Sequence, residues 1–542
     1  MRKIIFFILI VVLSYEVFFS FISLKYIRCY DQPPETGDET WALDLALTSI
    51  EKKEPKTFVW LENIPDKVDY GYFTPWIYIW LYGIPMRIRG NIDIYLGRLI
   101  SFTLSLISLF LFFLLFKVKL RDNLLALLLI TLPLLNYNFL YASHNCRGEI
   151  LICLGAVSFF ILIFTFRYNK WKSFVSGLFL GISMMGLIGF PIALAIILTE
   201  ELFGFFQFDK NSSLKKFLTG FALVAIFLLF INYTYIKYNQ SIDYTQIFLT
   251  IPLIELLKSG NFPHIKEEIF RRLSLIIDSM GWEILAILVF FFFILTKLCL
   301  RFKKGILIER SFLLSRLFKV AFLFISVIFT YFFIYPSIRG IYLSFFYTTI
   351  LYILAMLCET GIKMNDINIK KIIYALIFAL LVINLFSFRN TFAEYKNRHL
   401  KYRKYYANHQ TIAEELSKYF KGRSEKPRIM GILAFYQYLD RSDSLNYYCY
   451  EKYLHETKKL DPEILKIFLK SNKINYWLFS AIDYDNFNNK CPGWDEFFRD
   501  LLNNKILEPI KIFNKEIFYF NKQADKVILF KVNLTDGDKV IK

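Results

Sequence analysis

The 542-residue sequence contains little charge and little cysteine. Charged side chains make up 20% of the residues and hydrophobic ones 56%, a balance well outside that of an ordinary soluble domain. Its seven cysteines include no C-x-x-C pair, which argues against a structural zinc site and a disulfide framework. Neither a nucleotide-binding fingerprint nor an internal repeat is present. These absences exclude a disordered regulator, a secreted disulfide scaffold and an ordinary cytosolic enzyme.

The apolar residues come in repeated runs of about 20, long enough to cross the roughly 30 Å of hydrocarbon in a bilayer. We predict eleven transmembrane helices. Nine correspond to single runs, at Lys3–Tyr26, Ile94–Phe116, Leu124–Tyr141, Glu149–Phe166, Leu214–Ile236, Trp282–Leu300, Lys319–Tyr335, Ile341–Cys358 and Lys371–Phe388. The stretch Ser173–Phe206 is too long for one span, and we predict two short helices hinged at Gly189-Phe190-Pro191.

The formal net charge of +19 is concentrated in alternate loops. Lys117–Arg121, Arg301–Lys319 and Lys363–Lys371 each carry three or more basic residues, which predicts that they face the cytoplasm. The N-terminus is then inside, while loop 28–93, loop Lys237–Gly281 and everything after Arg389 lie outside. This pattern predicts a multi-pass protein of the cytoplasmic (inner) membrane. Because the loops account for the basic excess, no nucleic acid partner is expected.

The chain divides into a transmembrane domain (1–388, including outer loop 28–93), a basic interfacial linker (389–410) and a small outer α/β domain (411–542). The linker is rich in Tyr, Lys and Arg, which suits anionic headgroups. For the last part the pattern predicts helices at Thr411–Phe420, Pro462–Leu469 and Trp494–Leu502 and strands at Arg428–Ala434, Tyr476–Ile482, Lys511–Phe520 and Val527–Val532. Its two cysteines, Cys449 and Cys491, either pair or remain thiols, and the sequence leaves both readings open.

Carboxylates cluster in the first outer loop, directly after the first span. Asp38 and Glu39 open an apolar-periodic segment there, so Asp38 is either a functional carboxylate or a helix cap. The aromatic segment Tyr70–Tyr82 is too short to span and is predicted to lie in the interface, with its rings at headgroup level.

The short outer turns hold few basic residues, which makes Arg147 and Arg339 conspicuous. Each is a candidate anion ligand, although Arg147 could instead pair with Glu149. The turn at Ser143–Glu149 also carries His144, and the topology places it near the carboxylates of the first outer loop.

The order of these pieces resembles the polytopic, lipid-dependent glycosyltransferases of the GT-C class, especially the bacterial relatives of the protein O-mannosyltransferases and the aminoarabinose transferases. The resemblance runs over about Ile4–Phe388. Its landmarks are Asp38-Glu39, the Pro75-containing aromatic segment, Gly97-Arg98-Leu99, Arg147-x-Glu149, Gly177-Leu178-Phe179-Leu180-Gly181 and Tyr335–Leu343. The chain has Phe73-Thr74-Pro75 where relatives usually carry Pro-Pro or Lys-Pro-Pro, and it offers no Lys at Leu187–Phe190.

This resemblance implies transfer of a sugar from a polyprenyl-phosphate donor to a lipid, glycan or protein acceptor at the outer face. Asp38 would be the base, with Glu39 beside it. The resemblance assigns the donor phosphate to Arg98, Arg147, Arg339 and Tyr342. Asp38, His144 and Glu149 are candidates for holding a divalent cation, which the sequence does not require.

A flippase or transporter of lipid-linked glycans is the alternative, because a multi-span protein could bind the same lipid without cleaving it. Ion-coupled carriers usually bury more ionisable residues in their spans than this chain does, where Glu16 stands out. A glycan polymerase or ligase would share the donor chemistry. The sequence identifies neither the sugar nor the acceptor.

Overall fold

A computed structural model of the chain describes residues 33–52, 76–146, 149–165, 170–183, 215–224, 226, 262–302, 308–329, 343–364, 367–423, 427–431, 444–446, 460–519 and 522–534. The predicted first span Lys3–Tyr26 and the predicted hinge at Gly189-Phe190-Pro191 lie outside these residues. Helices make up the described chain as far as Phe420, and strands alternate with short helices after it.

The helices before the sheet are α1 (Pro33–Lys52), α2 (Trp76–Arg89), α3 (Ile94–Leu120), α4 (Asn123–Leu135), α5 (Tyr137–His144), α6 (Glu149–Thr165), α7 (Lys170–Ser183), α8 (215–224), α9 (Phe262–Phe302), α10 (Ile308–Phe329), α11 (Leu343–Lys363) and α12 (Ile367–Phe420). Within the described part of the chain, three helical segments are long and apolar enough to cross a membrane: Ile94–Leu120, Met280–Leu300 and Ile367–Ser387. All three coincide with spans predicted from the sequence.

The predicted span Leu124–Tyr141 is wrong as a single helix, because the structure divides it at Asn136. Pro133 cannot donate a backbone hydrogen bond, and Asn136 has an extended backbone (φ −90°, ψ 120°) at the end of α4. The side-chain Oδ1 of Asn136 accepts a hydrogen bond from the Phe139 N–H at 3.3 Å. Asn136 therefore ends α4 and caps α5.

Two predicted loops are helical instead. Residues 262–279, predicted as part of an outer loop, form the first section of α9, which bends at Met280 (φ −153°, ψ 20°). The predicted linker 389–410 is the middle of the 54-residue α12, whose sequence from 389 to 420 contains neither proline nor glycine. Helix α10 likewise begins at Ile308, eleven residues before the predicted start.

The glycine landmark at Gly177 and Gly181 serves helix packing. A Cβ at Gly177 would overlap the carbonyl oxygen of Phe217 in α8, and one at Gly181 would lie 2.7 Å from the Cβ of Val224. On α8, a Cβ at Gly220 would overlap the Phe174 carbonyl oxygen. These glycines allow the backbones of α7 and α8 to approach closely, as small residues do in membrane helix pairs.

A five-stranded mixed sheet follows α12. Its strands are β1 (Ile429–Gly431), β2 (Ser444–Asn446), β3 (Tyr476–Ser480), β4 (Leu507–Phe513) and β7 (Val527–Val532), in the order β2-β1-β3-β7-β4. Strand β1 is parallel to β2 and β3, while β7 is antiparallel to β3 and β4. The helices α13 (Pro462–Ser471), α14 (Ala481–Lys490) and α15 (Trp494–Asn503) alternate with these strands.

The predicted strand Lys511–Phe520 is divided in the structure. Strand β4 ends at Phe513, and β5 (Ile517–Tyr519) pairs with β6 (Lys522–Ala524) in a separate hairpin. This part of the chain has its own core, in which Trp477 and Trp494 are fully buried.

The sheet region adjoins the beginning of α3. Ile92, two residues before α3, packs against the core around Trp477 and also against the core shared by α1, α2 and α3. The Nδ2 of Asn408 in α12 donates to the Glu516 carbonyl at 2.7 Å. The sheet region and the first turn of α3 therefore lie at the same end of the helical bundle.

Candidate active site

The candidate site is built where α1 and the turn after α5 meet the first turn of α3. Gly97 of α3 permits this meeting, since a Cβ there would lie 3.1 Å from both Cβ and Sγ of Cys146 and 3.1 Å from Cδ2 of Leu43. Each distance is shorter than an ordinary van der Waals contact between carbon atoms. Helix α1, which carries Asp38 and Glu39, is thus packed directly beside the turn that follows His144.

Two buried tyrosines of α2 tie this helix to α3 and to the turn after α5. The hydroxyl of Tyr78 donates to the carbonyl of Cys146. Ser101 Oγ donates to the carbonyl of Asn145 at 2.7 Å, so the Tyr82 hydroxyl, 2.6 Å away, donates to Ser101 Oγ. Helix α2 and the first turns of α3 are therefore tied to the backbone of residues 145 and 146.

This arrangement corrects the prediction for the aromatic segment. Tyr78 and Tyr82 are 1% and 0% exposed and stack with ring centroids 4.3 Å apart, so their rings face the protein rather than the headgroups. Trp80, by contrast, is 52% exposed. The reason is the helical period: Tyr78 and Tyr82 are four residues apart and share one face, whereas Trp80 lies on another.

Asp38 and Glu39 are the sixth and seventh residues of α1. The helix begins at Pro33, so the alternative in which Asp38 is merely the helix cap is wrong. Asp38 precedes Leu43 by five positions, or about 7.5 Å along the helix axis. For Asp38 and Glu39 the structure describes the backbone and not the side chains.

His144 lies at the end of α5 and is 7% exposed. Its Nδ1 is 2.7 Å from the carbonyl oxygen of Leu140. The Ser143 hydroxyl, 2.6 Å from Nδ1, itself donates to the same carbonyl at 2.7 Å, so the neutral tautomer that fits these contacts carries its proton on Nδ1 and its lone pair on Nε2. This is the tautomer in which Nε2 accepts a proton or ligates a metal ion, with the backbone carbonyl fixing the ring from behind.

Arg98 is the fifth residue of α3 and is 3% exposed. The Oδ1 of Asp93 caps this helix by accepting a hydrogen bond from the Leu96 N–H at 3.0 Å.

A second charged side chain, Asp44 of α1, is fully buried in the region and lies 3.4 Å from the Thr48 hydroxyl that donates to it. Asp44 is a further carboxylate of the predicted outer loop 28–93, and the sequence predicts no role for it.

The remaining predicted site residues are described in part or not at all. Glu149 is the first residue of α6, and its side chain lies outside the described part of the structure. Arg147, Arg339 and Tyr342 lie outside the described residues, and their assignment to the donor phosphate stays a prediction. Cys449 lies outside them as well, and both readings of the sequence, a disulfide with Cys491 or two thiols, stay open.

No group of three metal-ligating side chains occurs among the described residues. Two of the three predicted ligands, Asp38 and Glu149, have side chains that fall outside that description. The tautomer of His144 fits a metal ligand, and the predicted cation site rests on that fit alone.

A second polar group lies near the same end of the bundle. Glu283 of α9, which is 1% exposed, accepts hydrogen bonds from the Tyr347 hydroxyl at 3.1 Å and from Asn384 Nδ2 at 3.2 Å. These residues join α9, α11 and α12. Sequence reasoning missed Glu283, although its place as the second residue of the predicted span at Trp282 was the available signal.

Solved structures with the same architecture cover nearly the whole chain. ArnT from Cupriavidus metallidurans bound to undecaprenyl phosphate is 10% identical, with a TM-score of 0.55 over 96% of this chain and 97% of that one. Apo ArnT is 11% identical, with a TM-score of 0.52 over 97% of each chain. The chain has a GT-C glycosyltransferase fold. The family resemblance inferred from the sequence is confirmed at the level of fold.

An oligosaccharyltransferase from Archaeoglobus fulgidus, tethered to an acceptor peptide, is also similar. It is 12% identical, with a TM-score of 0.46 over 95% of this chain and 75% of that one. The sequence matches no family model and, at a significant level, no curated protein sequence.

Proposed function

We propose that this GT-C protein transfers a sugar from a polyprenyl-phosphate donor to an acceptor at the outer face of the membrane. One observation carries the proposal: the contact of Leu43, Gly97 and Cys146 brings the Asp38 helix against Arg98 and the His144 turn. A carboxylate-bearing helix beside cationic and imidazole groups at a membrane boundary is the arrangement that such a transfer needs. ArnT, whose structure contains undecaprenyl phosphate, supports the donor class.

In the proposed reaction Asp38 accepts the proton of the acceptor hydroxyl as the oxygen attacks the anomeric carbon. The bond between that carbon and the phosphate oxygen breaks, and the polyprenyl phosphate leaves. Such a step requires a base near the acceptor and positive charge near the leaving phosphate. Glu39 orients the acceptor, while Arg98, Arg147, Arg339 and Tyr342 bind the phosphate, to which guanidinium groups are well suited.

The proposal includes a divalent cation held by Asp38, His144 and Glu149. Bound there, the cation would supply positive charge beside the reacting phosphate. His144 would ligate through Nε2, because its Nδ1 bonds to the Leu140 carbonyl. Loss of transfer on chelation, with recovery on adding Mg²⁺ or Mn²⁺, is the result expected.

Replacing Asp38→Asn should reduce transfer from a radiolabelled polyprenyl-phosphate sugar by about a hundredfold to ten-thousandfold, the usual effect of losing a general base. Thermal stability should hardly change, because the amide keeps the shape of the carboxyl. Glu51→Gln is the matched control, since Glu51 is an exposed carboxylate of the same helix. Equal turnover of Asp38→Asn and Glu51→Gln would contradict the role of Asp38.

Replacing Arg339→Ala should weaken donor binding by about 1.5–3 kcal/mol, the value of one hydrogen bond to a charged group. Arg339→Lys should recover part of this, because the charge remains but the planar fork is lost. The measurement is the donor dissociation constant. If neither variant changes it, Arg339 merely extends to the interface and the phosphate binds elsewhere.

A further inference from the structure

The first section of α9, residues 262–279, exposes apolar side chains although it lies before the membrane span. The segment of α9 that is long and apolar enough to cross a membrane begins at Met280, where the helix bends. Six of the 18 residues before the bend are charged. A helix with so many charges does not cross a bilayer, so the surroundings of this section have to be argued separately.

One face of the first section packs against the rest of the protein. Ile265, Arg272 and Ile276 are buried, and Ile276 belongs to the core of the helical bundle. These residues are seven and four positions apart, so they share one face of the helix. The bundle therefore covers this side of the section and fixes which side chains point away from it.

A second face is apolar and exposed. Phe270, Leu273 and Ile277 are 61%, 39% and 63% exposed, and their spacing of three and four residues places them on one face. Lys266 lies on the same face, with its Nζ 6.0 Å from the centre of the Phe270 ring. A lysine can extend its apolar stem along such a face and keep its ammonium group in water. The face suits contact with hydrocarbon close to a water boundary.

A third face is polar. Its exposed side chains are Glu267, Arg271, Ser274 and Asp278. The Ser274 hydroxyl donates to the Asp278 carboxylate at 3.1 Å, and Arg271 pairs with Glu268 at 2.7 Å. At about 100° per residue, the buried, apolar and polar faces lie roughly 100–150° apart around the helix axis. A helix with three such faces fits a position where protein, hydrocarbon and water meet.

The bend at Met280 allows the first section to turn away from the direction of the span. Met280 has a non-helical backbone (φ −153°, ψ 20°). The 21 residues from Met280 to Leu300 extend about 32 Å at 1.5 Å per residue, which already matches the hydrocarbon core. A straight continuation would carry Phe270 about 15 Å beyond Met280, where its ring would face water. A section lying in the membrane plane instead keeps Phe270 and Ile277 at one depth.

Exposed apolar side chains resume directly after the bend. Trp282, Leu285 and Phe292 are exposed on the span itself, where the surrounding medium is lipid. Trp282 follows Met280 by two residues, and tryptophan is enriched at the boundary of the hydrocarbon. The apolar face of the first section is therefore continuous along the chain with a surface that faces acyl chains.

We propose that the first section of α9 lies along the membrane surface, with Phe270, Leu273 and Ile277 inserted among the lipids and Arg271 and Asp278 in water. Its partner is the bilayer leaflet at the beginning of the span, as for other amphipathic interfacial helices. The basic loops assign this leaflet to the outer side. The inference is independent of the proposed transfer reaction.

The test is photocrosslinking of the full-length protein in vesicles of phosphatidylethanolamine and phosphatidylglycerol. The photoreactive amino acid p-benzoylphenylalanine replaces Phe270, Ile277 or Phe292, one at a time. Illumination joins its ketone to a neighbouring C–H bond, and mass spectrometry of the protein detects attached lipid. Positions 270 and 277 should give lipid adducts at a yield comparable to that of position 292, which lies within the span.

Positions 271 and 278 are the matched controls. Each is adjacent in sequence to a tested position but lies on the polar face, and both Arg271 and Asp278 are exposed. Their lipid adducts should be several times weaker than those at positions 270 and 277. Because all five positions are exposed, the variants should fold, and equal elution in size-exclusion chromatography checks this.

Three outcomes would overturn the proposal. Equal adduct yields at positions 270, 271, 277 and 278 would show that the section has no lipid-facing side. An adduct at position 277 without one at position 270 would show that the helix continues straight into water. A crosslink to protein in place of lipid, within the chain or to a second copy, would show that protein covers the apolar face. Transfer activity is not part of this readout, so failure here leaves the proposed reaction untouched.

Discussion

The two ends of α3 are built by different kinds of interaction. At the Arg98 end, Gly97 and the hydroxyls of Tyr78, Tyr82 and Ser101 bring backbones into close contact. At the other end, Glu359 gathers cations from three helices. The first end depends on shape and the second on charge. Close packing fixes the positions of side chains more narrowly than ion pairs do. A site that must orient a substrate therefore benefits from a closely packed end.

The largest effect expected at the charged end follows Glu359→Ala. It should lower stability by about 3–5 kcal/mol, because removing one partner of a buried ionic group leaves uncompensated charge. Lys363→Ala is the control on the same helix and should cost under about 1 kcal/mol, since Lys363 is 46% exposed. Thermal unfolding of both variants in detergent measures the difference. Equal midpoints would mean that other groups balance the positive charges of Lys119, Arg316 and Lys363.

At the shape-dependent end, Gly83→Ala should cost about 1–3 kcal/mol of stability, the range for inserting atoms into a packed core. The added Cβ would overlap the Ala46 carbonyl oxygen and lie 2.8 Å from Cγ1 of Ile50, so α1 must move away from α2. Transfer activity should fall with it, since α1 carries Asp38.

Gly281→Ala is the matched control for that substitution. Its Cβ would meet Ile277 Cγ2 at 3.4 Å, an ordinary contact. Activity and the unfolding midpoint should stay close to those of the unaltered protein. Full activity in Gly83→Ala would indicate that the α1–α2 contact is not needed to place Asp38.

A smaller effect should appear on acidification at the charged end. Burial alone would raise the pKa of Asp122, but hydrogen bonds from Tyr374, Lys370 and the Leu125 N–H outweigh it and hold the pKa below its usual 3.8. The ionised form therefore adds stability above about pH 4 that is lost as the pH falls through the lowered pKa. Asp122→Asn should lack this loss, so the gap between the two unfolding midpoints should shrink from pH 6 to pH 3. A constant gap would contradict the pKa shift.

Hydropathy predicted where the chain enters the membrane, but not where its helices end. The three helical segments that are long and apolar enough to cross a membrane begin or end within a few residues of the predicted limits, since twenty apolar residues are a strong local signal. The helices α9 and α12 continue far into polar sequence. A change from apolar to polar composition marks where the chain leaves the bilayer. A helix instead ends where its backbone hydrogen bonding is interrupted, as at Asn136.

The candidate site was predictable in its residue types but not in its contacts. The carboxylates and His144 were identified by their position relative to the spans, and Arg98 by the family resemblance. The bond between Tyr78 and the Cys146 carbonyl joins residues 68 positions apart, and no local pattern encodes it. The burial of Tyr78 and Tyr82 likewise depends on α1 and α3, whose placement is a property of the folded bundle.

The unbroken helix α12 makes the membrane part and the sheet region mechanically continuous. About 33 residues of α12 follow the end of its span at Ser387, which amounts to roughly 50 Å of helix at 1.5 Å per residue. If it behaves as a stiff lever, a tilt of about 5° within the bilayer displaces its far end by about 4 Å over that length. The sheet region rests on Ile92, immediately before the helix that carries Arg98. Changes in bilayer thickness or lateral pressure would then shift the first turn of α3, which belongs to the candidate active site.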